Sequence, residues 1–305
     1  MEELKNIDNA KNLNYNYFMK WDKNVIEWLL EDNNPAIAYR TQTEILGQTG
    51  DKKPVIKWLL NFFPIDWKEK RFIMFVYYLT AFAECGLDYT DIQIDKSKVI
   101  KFYKDTFRNV CGDFMHLRAL SRLGLVNEPT IVDFIHRLPE GQLSDGGFLC
   151  STHLEKIKNR VPKSCVKDNM YALMAFAECK KKGIKISNEN RLINYFWNHN
   201  LFYRTDNPET LMLNVREGWR TIDTFYPFEA MRIGIQNIIE SFCVLGYGKD
   251  EKLKEAWNIL ENKKDKDGKY ILEGTLSKSY LPKEKIGKPS KWVTFYTLLA
   301  KKYMI

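Results

Sequence analysis

The sequence is poor in histidine and arginine. Its 305 residues include four histidines and, by count, 12 arginines against 35 lysines. The net charge of +8 comes mostly from lysines scattered over the outer faces of predicted helices, which is not the pattern of a nucleic-acid-binding surface. We therefore expect no nucleic-acid partner.

Long apolar segments are also missing. The most apolar run begins at Phe72, is shorter than the roughly 18 residues that span a bilayer, and carries Glu84. The first residues, up to Phe18, have no apolar core behind a positive start, as a secretory signal would. The sequence therefore predicts a cytoplasmic protein without a transmembrane segment, a compartment in which cysteines stay reduced.

Alternation of β type is scarce, whereas apolar residues recur at three- and four-residue spacing along most of the chain. This pattern predicts an all-α fold. Helical pairs repeat, because 21 residues separate Gly124 from Asp145 and also Gly246 from Asp267. One of these helices is expected to begin near Thr224 and Pro227 and to end at Gly246. The phrase AFAEC also occurs twice, ending at Cys85 and at Cys179.

In each pair the first helix is apolar on nearly all sides and the second is amphipathic, which predicts an inner and an outer layer of helices. Such repeats build either a solenoid or a closed ring. We expect an N-terminal extension over 1–24 and a single domain over 25–305. The segment GQLSDGGFLC, from Gly141, is interpreted as a turn between repeats, with Gln142 and Phe148 fastening adjacent pairs.

The segments QLSDGGF and DKDGKYILE resemble the turns of terpenoid cyclases and protein prenyltransferase β-subunits. The segments WLLEDNNPAIAYRTQTEILG and GKPSKWVTFYTLLAKK resemble the bacterial single-toroid proteins with squalene-cyclase and prenyltransferase repeats. The resemblance implies an (α/α) toroid of about five to six helical hairpins. It also implies a hydrophobic central cavity for an isoprenoid or lipid-like ligand, with helix N-termini at one rim.

Aromatic residues are candidates for the wall of such a cavity, where they would contact a polyprenyl chain or a carbocation. Packing in the core is the alternative role for each of them. The candidates are Tyr77, Tyr78, Phe114, Tyr171, Phe225, Phe228 and Trp292.

The chemistry of both branches of the family is incomplete in this sequence. Cyclases that begin by protonating their substrate resemble one another in a D-x-D-D motif. At the matching place this sequence keeps only Asp168. The neighbouring Lys167 would favour the ionised form of Asp168. Protein prenyltransferases hold zinc with an Asp-x-Cys and a late histidine. Cys165 could match the cysteine, but Lys163 stands where the Asp would be, and the last helix has no histidine.

A different zinc site is a further hypothesis, with Cys150, His153 and Cys165 as ligands and Asp168 or water as a fourth. Cys165 precedes a predicted helix, a position at which the pKa of a thiol tends to fall. The alternative is that both cysteines are thiols at the mouth of a cavity and that His153 is a solvated loop residue.

Other polar residues precede predicted inner helices. Arg216 and Arg220 are candidates to grip an anionic head group, and Asp223 is a candidate catalytic carboxylate or a helix cap. His116 is a candidate substrate contact or a partnered core histidine.

The sequence leaves two functions open. The first is an isoprenoid cyclase- or transferase-like enzyme, with Asp168 as acid or polar anchor and Cys165 as nucleophile or metal ligand. The second is a non-catalytic toroid that binds a lipid, peptide or protein.

Overall fold

The computed structural model describes residues 21–62, 72–92, 95–106, 111–154, 161–213, 220–226, 232–275 and 281–304. Within these residues the regular structure is helical, and β-structure is limited to four isolated bridges. The all-α prediction is therefore confirmed. None of the helices in the described ranges is both long enough and apolar enough to cross a bilayer.

The helices follow one another along the chain, with short turns of π-helix (Thr41–Ile45) and 3-10 helix (Leu138–Gly141 and Glu251–Leu253) beside three of them. They are α1 (Lys23–Leu29), α2 (Pro35–Arg40), α3 (Lys53–Leu60), α4 (Phe72–Glu84), α5 (Lys96–Thr106), α6 (Cys111–Arg122), α7 (Pro129–Arg137), α8 (Ser151–Leu154), α9 (Val166–Lys181), α10 (Glu189–Asn198), α11 (Ile235–Val244), α12 (Lys254–Glu261) and α13 (Lys291–Tyr303).

Two classes of helix differ in burial. In α6, α9, α11 and α13, runs of nine or more consecutive residues are buried, so these helices have no solvent-facing side over most of their length. In α7, α10 and α12 only one face is buried. Each amphipathic helix follows a fully buried one along the chain, which confirms the predicted alternation.

The most apolar helices pack in chain order. Helix α4 packs on α6, α6 on α9, α9 on α11, and α11 on α13. Helix α13 also packs against α2 and against the π-helical turn that follows α2. Arg40, at the end of α2, donates hydrogen bonds to the backbone carbonyl of Glu84 in α4 and to the hydroxyl of Tyr296 in α13, both at 3.0 Å. The segment around Arg40 therefore contacts the first and the last helix of this row.

Helix α11 begins later than the sequence predicts. It starts at Ile235 after an extended Gly234, not near Pro227, which lies outside the described residues. Thr224 instead exchanges hydrogen bonds with the 271–273 segment: its hydroxyl donates to the carbonyl of Ile271 at 2.6 Å and accepts from the amide of Glu273 at 3.1 Å. These long-range hydrogen bonds hold the backbone out of the helical conformation.

The segment from Gly141 is a turn, as predicted, and it fastens two repeats together. Asp145 accepts hydrogen bonds from the amide and the hydroxyl of Ser164, just before α9, at 3.0 and 2.5 Å. The amide of Phe148 donates to Asn169 in α9 at 2.8 Å, and the side chain of Gln142 donates to the carbonyl of Asn188 before α10 at 3.4 Å. The turn therefore positions the first residues of α9.

A Gly146→Ala substitution is expected to destabilise the protein more than Gly183→Ala. Both glycines have positive φ values, +90° and +76°, which cost an alanine about 1–2 kcal/mol. An added Cβ at Gly146 would fall on the carbonyl oxygen of Arg191, whereas Gly183 has no atom within 4 Å of that position. The clash should add roughly 1–3 kcal/mol to the loss in free energy of unfolding, measured by urea denaturation. Equal losses in the two variants would show that the backbone of the turn shifts to accommodate the added Cβ without a cost in stability.

Candidate functional site

Charged side chains from the C-terminal halves of α2, α4, α6, α9 and α11, and from the π-helical turn after α2, are linked by ion pairs in the interior, and four of them contact Tyr296 of α13. We call this group the central ion network. Its members are Arg40, Glu44, Glu84, Arg118, Arg122, Glu178, Lys181, Glu240 and Tyr296.

Glu84 and Tyr296 lie at the middle of the network. The carboxylate of Glu84 accepts hydrogen bonds from Arg118 and from the hydroxyl of Tyr296, and it lies 3.7 Å from Arg40. The Tyr296 oxygen in turn accepts from Arg40 at 3.0 Å and from Arg118 and Arg122 at 3.3 Å. Glu84 and Arg40 are fully buried, so these contacts replace water completely.

The network is balanced in charge. It holds four cationic and four anionic side chains, and each carboxylate has at least one cationic partner. A balanced, hydrogen-bonded set is the form in which buried charges are tolerated. Five further ion pairs belong to the network: Arg122–Glu178 at 2.8 Å, Lys181–Glu240 at 2.5 Å, Lys181–Glu178 at 3.2 Å, Arg40–Glu44 at 2.5 Å and Arg122–Glu44 at 3.8 Å.

Three carboxylates of the network, those of Glu44, Glu84 and Glu178, have lowered pKa values and stay ionised over the physiological range. Burial opposes the ionisation of Glu44, but Arg40 and Arg122 outweigh it and lower its pKa to about 2. Burial also opposes the ionisation of Glu84 and Glu178, and the neighbouring arginines lower both pKa values. The network therefore fills this part of the interior with fixed, compensated charge.

A small pocket lies at the other end of α9 and α11, beside their first turns. We call it the rim pocket. Its free volume is about 20 Å³, enough for about one water molecule. Its described lining residues are Lys167, Met170, Tyr171, Leu213, Arg220, Thr221, Asp223, Phe225, Arg232 and Ile233.

Three cationic side chains line the rim pocket. Arg220 is held by Asp223, with its Nη2 2.8 Å and its Nε 3.1 Å from the same carboxylate oxygen. Arg232 lies over the ring of Phe225, 4.8 Å from the centroid, and donates to the carbonyl of residue 275 at 3.1 Å. With Lys167 in the first turn of α9, the ionisable lining residues carry three positive charges and one negative charge. The described lining of the pocket therefore carries a net positive charge.

Two helix N-termini add to this potential. Helix α9 begins after Cys165 and α11 after Gly234, and neither helix has a side-chain cap hydrogen bond. The first turn of a helix carries partial positive charge and amide groups that suit an anion. Fixed cations and helix termini together favour a small anionic ligand in the rim pocket.

Asp168 is a buried acid one residue from the pocket lining. Its side chain is 1% exposed, and neither carboxylate oxygen makes a hydrogen bond of normal geometry to any residue within the described ranges. Burial raises its pKa to about 7, the backbone amide of Cys150 lowers it, and Asp113 raises it further. The expectation that Lys167 keeps Asp168 ionised is wrong, since burial outweighs the neighbouring charge. Near neutral pH this carboxyl can hold or release a proton.

Two of the cysteines near the turns, Cys165 and Cys111, are protonated thiols near neutral pH. Burial raises the pKa of Cys165, although the amides of Asp168 and Lys167 act in the opposite direction. Burial, helped by Asp168 and the two neighbouring thiols of Cys150 and Cys165, raises the pKa of Cys111 to about 12. The lowered pKa expected for Cys165 from its place at a helix start is therefore wrong.

The zinc hypothesis gains no support from the geometry. Across the described ranges, no group of three or more His, Cys, Asp or Glu side chains is arranged to hold a metal ion. Cys150, His153 and Cys165 all lie within those ranges. They are near one another in sequence, but they do not form a ligand set.

Most of the candidate aromatic residues are packed in the core. Phe114 packs edge-on against Phe148, with ring centroids 4.9 Å apart, and Trp292 packs edge-on against Tyr226 at 5.7 Å. Tyr77 and Tyr78 are half-buried against the core. Of the set, the structure places Tyr171 and Phe225 at the rim pocket, while Phe228 lies outside the described residues.

The remaining candidates lie in different parts of the molecule. The structure brings Arg220 and Asp223 to the rim pocket, where Asp223 binds Arg220 instead of capping a helix. His116 is fully buried beside the ring of Tyr103, and burial lowers its pKa to about 3, so it is neutral near pH 7. Arg216 lies outside the described residues.

Sequence reasoning missed Arg232, Thr221 and most of the central ion network. One signal for the network was present in the repeated phrase AFAEC, because its glutamate is Glu84 in one copy and Glu178 in the other. A glutamate at the same place in two otherwise apolar helices indicates a buried partner of opposite charge.

Comparisons of the chain with protein-family models, with curated proteins and with solved structures gave no match.

Proposed function

We propose that the chain forms a closed (α/α) toroid and that it binds a small anionic molecule, such as a phosphate or diphosphate compound, at the opening of the rim pocket, because the enclosed volume of about 20 Å³ is too small for the whole group. This proposal shares the absence of catalysis with the second function that the sequence leaves open, but it replaces the lipid, peptide or protein partner of that function with a small anion. The observation that carries it is the set of three cationic side chains beside two helix N-termini.

The packing of the described helices supports the toroid. Helices α4, α6, α9, α11 and α13 form a row in which each packs on the next, and the segment around Arg40 contacts both ends of that row. A row of helices whose two ends meet the same segment is what a closed ring requires. The resemblance of the sequence to single-toroid repeat proteins leads to the same arrangement.

The charge of the rim pocket supports an anionic ligand. Arg220 is held in one orientation by Asp223, which leaves less side-chain entropy to be lost when a ligand binds. Guanidinium groups match the oxygens of a phosphate group, and Lys167 adds a point charge to the lining of the pocket. The central ion network fills the interior beyond the pocket, which favours binding at the rim over passage into the ring.

Binding of inorganic diphosphate, measured by isothermal titration calorimetry at low salt, tests the proposal. Lys167→Ala and Arg220→Ala should each weaken binding by about 10- to 100-fold, because each removes one charged contact. Arg204→Ala is the matched control, since Arg204 also pairs with a nearby aspartate, Asp206, at 2.7 Å but does not line the rim pocket. Absence of binding to the unmodified protein, or equal affinity in all three variants, would refute the proposal.

A second candidate function is acid catalysis on an isoprenoid, and Asp168 is the observation that favours it. A buried carboxyl with a pKa of about 7 is suited to give a proton near neutral pH. The cluster of acids that activates such a proton in the resembling cyclases is reduced here to Asp168, with Asp113 near it. Product analysis after incubation with farnesyl diphosphate or squalene decides the matter. A product made by the unmodified protein and not by Asp168→Asn would establish catalysis.

A further inference from the structure

Asp168 lies in the first turn of α9, beside the lining of the rim pocket. Lys167, which precedes it, and Met170 and Tyr171, which follow it within one turn, all line the pocket. The side chain of Asp168 is 1% exposed, and within the described ranges neither of its oxygens makes a hydrogen bond of normal geometry. Water and hydrogen-bond donors therefore do little to screen a negative charge on this carboxyl.

The charge of Asp168 reaches the lining of the pocket. Asp168 and Tyr171 are three positions apart on α9, which is about 4.5 Å along the helix axis. Burial is the main reason that the pKa of the Tyr171 hydroxyl is raised. Cys111 and Tyr77 add to this effect, Arg118 opposes it, and a charged Asp168 raises the pKa further. A second charge placed at the pocket would therefore interact with Asp168 as well.

The ionisable groups around Asp168 give its charge little support. They belong to α6, to the residue before α8 and to the start of α9: Cys111, Asp113, Cys150, Cys165 and Lys167. Burial and Asp113 oppose the ionisation of Asp168. Burial also keeps the thiols of Cys111 and Cys165 protonated near neutral pH, and Lys167 is the cation of this group. The first turn of α11, beside the same pocket, has no ionisable side chain. Ionisation of Asp168 therefore reduces the net positive charge that the pocket offers to an anion.

We propose that Asp168 is a specificity-determining residue of the rim pocket, which holds an anion at full affinity only while the carboxyl of Asp168 is uncharged. An anion at the opening and an ionised Asp168 would both depend on the partial positive charge of the first turn of α9. Ligands of high negative charge are then the most strongly rejected when Asp168 is ionised. This inference rests on the proposed function, because it concerns the same site.

The expected size of the effect follows from the repulsion of two charges. Two unit charges about 10 Å apart, in a medium with an effective dielectric constant of about 20, repel enough to lower an affinity by roughly tenfold or more. The pKa of Asp168 is about 7, so its charge appears between pH 5.5 and pH 8.5. The affinity for an anion should fall over the same range.

Sulfate is the probe that tests the inference, because it keeps its charge over this range of pH, whereas phosphate and diphosphate titrate. Its dissociation constant is measured by isothermal titration calorimetry at pH 5.5, 7 and 8.5 and at one low ionic strength. The affinity of the unmodified protein should fall about tenfold or more from pH 5.5 to pH 8.5. Asp168→Asn should change by less than about threefold and should bind more tightly than the unmodified protein at pH 8.5.

Asp133→Asn is the matched control. Asp133 is exposed on α7 and does not belong to the described lining of the pocket, so this variant should follow the unmodified protein at each pH. A second measurement does not depend on the variants. Sulfate binding at pH 7, compared in buffers of different ionisation enthalpy, should take up roughly half a proton per site in the unmodified protein.

The failure of the inference and the failure of the proposed function give different results. If sulfate binds to none of the three proteins at any pH, the anion site itself fails. If the unmodified protein binds sulfate with the same affinity at all three pH values and takes up no proton, anion binding stands and the role of Asp168 is wrong. A fall in affinity that persists in Asp168→Asn would assign the pH dependence to another group and would also overturn the inference.

Discussion

Replacing Glu84 by glutamine is expected to lower the free energy of unfolding by about 3–5 kcal/mol, the usual cost of removing one partner from a buried ion pair. Glu84 accepts from Arg118 and Tyr296 and lies 3.7 Å from Arg40. Glutamine keeps the shape of the side chain but leaves the network with an uncompensated positive charge and adds an amide donor where an acceptor is needed. Urea unfolding followed by circular dichroism measures the loss.

The matched control is Glu251→Gln. Glu251 pairs with Lys254 at 3.6 Å, but its side chain is 87% exposed, so its removal should change the stability by less than about 0.5 kcal/mol. If the two substitutions cost the same, the network contributes nothing beyond a surface ion pair, and its role as the rigid filling of the interior would have to be abandoned.

The second large effect is a pH dependence that Asp168→Asn should remove. The pKa of Asp168 is raised from its ordinary value near 4 to about 7 in the folded protein. Below pH 4 the acid is protonated in both states and costs nothing. As the pH rises from 4 to 7 the unfolded chain ionises while the folded chain keeps the proton, so stability is lost, by roughly 4 kcal/mol in total.

Asparagine does not titrate, so the stability of Asp168→Asn relative to the unmodified protein should rise by roughly 4 kcal/mol between pH 4 and pH 8. The comparison uses the slope with pH, which is independent of the constant cost of burying the new amide. Asp133→Asn, at an exposed position of α7, is the control substitution measured in parallel. A flat difference for Asp168→Asn would mean that Asp168 ionises in the folded protein as readily as in the unfolded chain.

The helices and the turn at Gly141 could be predicted from the sequence because both depend on local patterns. Apolar spacing marks α6 and α9, and paired glycines after an aspartate mark the turn. The start of α11 could not be predicted, because Thr224 bonds to residues 47 and 49 positions further along the chain.

The site could also be predicted in part, because some of its residues belong to local sequence patterns. Arg220 and Asp223 were identified as polar residues before a helix and Tyr171 as an aromatic candidate for a cavity wall, and the structure brings all three to one pocket. The central ion network was not identified, since Glu84 and Tyr296 are 212 positions apart. The pKa directions of Asp168 and Cys165 also differ from expectation, because burial dominates both and depends on tertiary packing.

The central ion network has a consequence for the uniqueness of the fold. A helix that is buried on nearly all sides, such as α9, could slide along its axis by a turn and still bury similar apolar area. Such a slide would move Glu178 about 5 Å from Arg122 and leave both charges buried without a partner. The network therefore fixes the position of each buried helix along its axis. It selects one alignment of these helices among several that hydrophobic burial alone would allow.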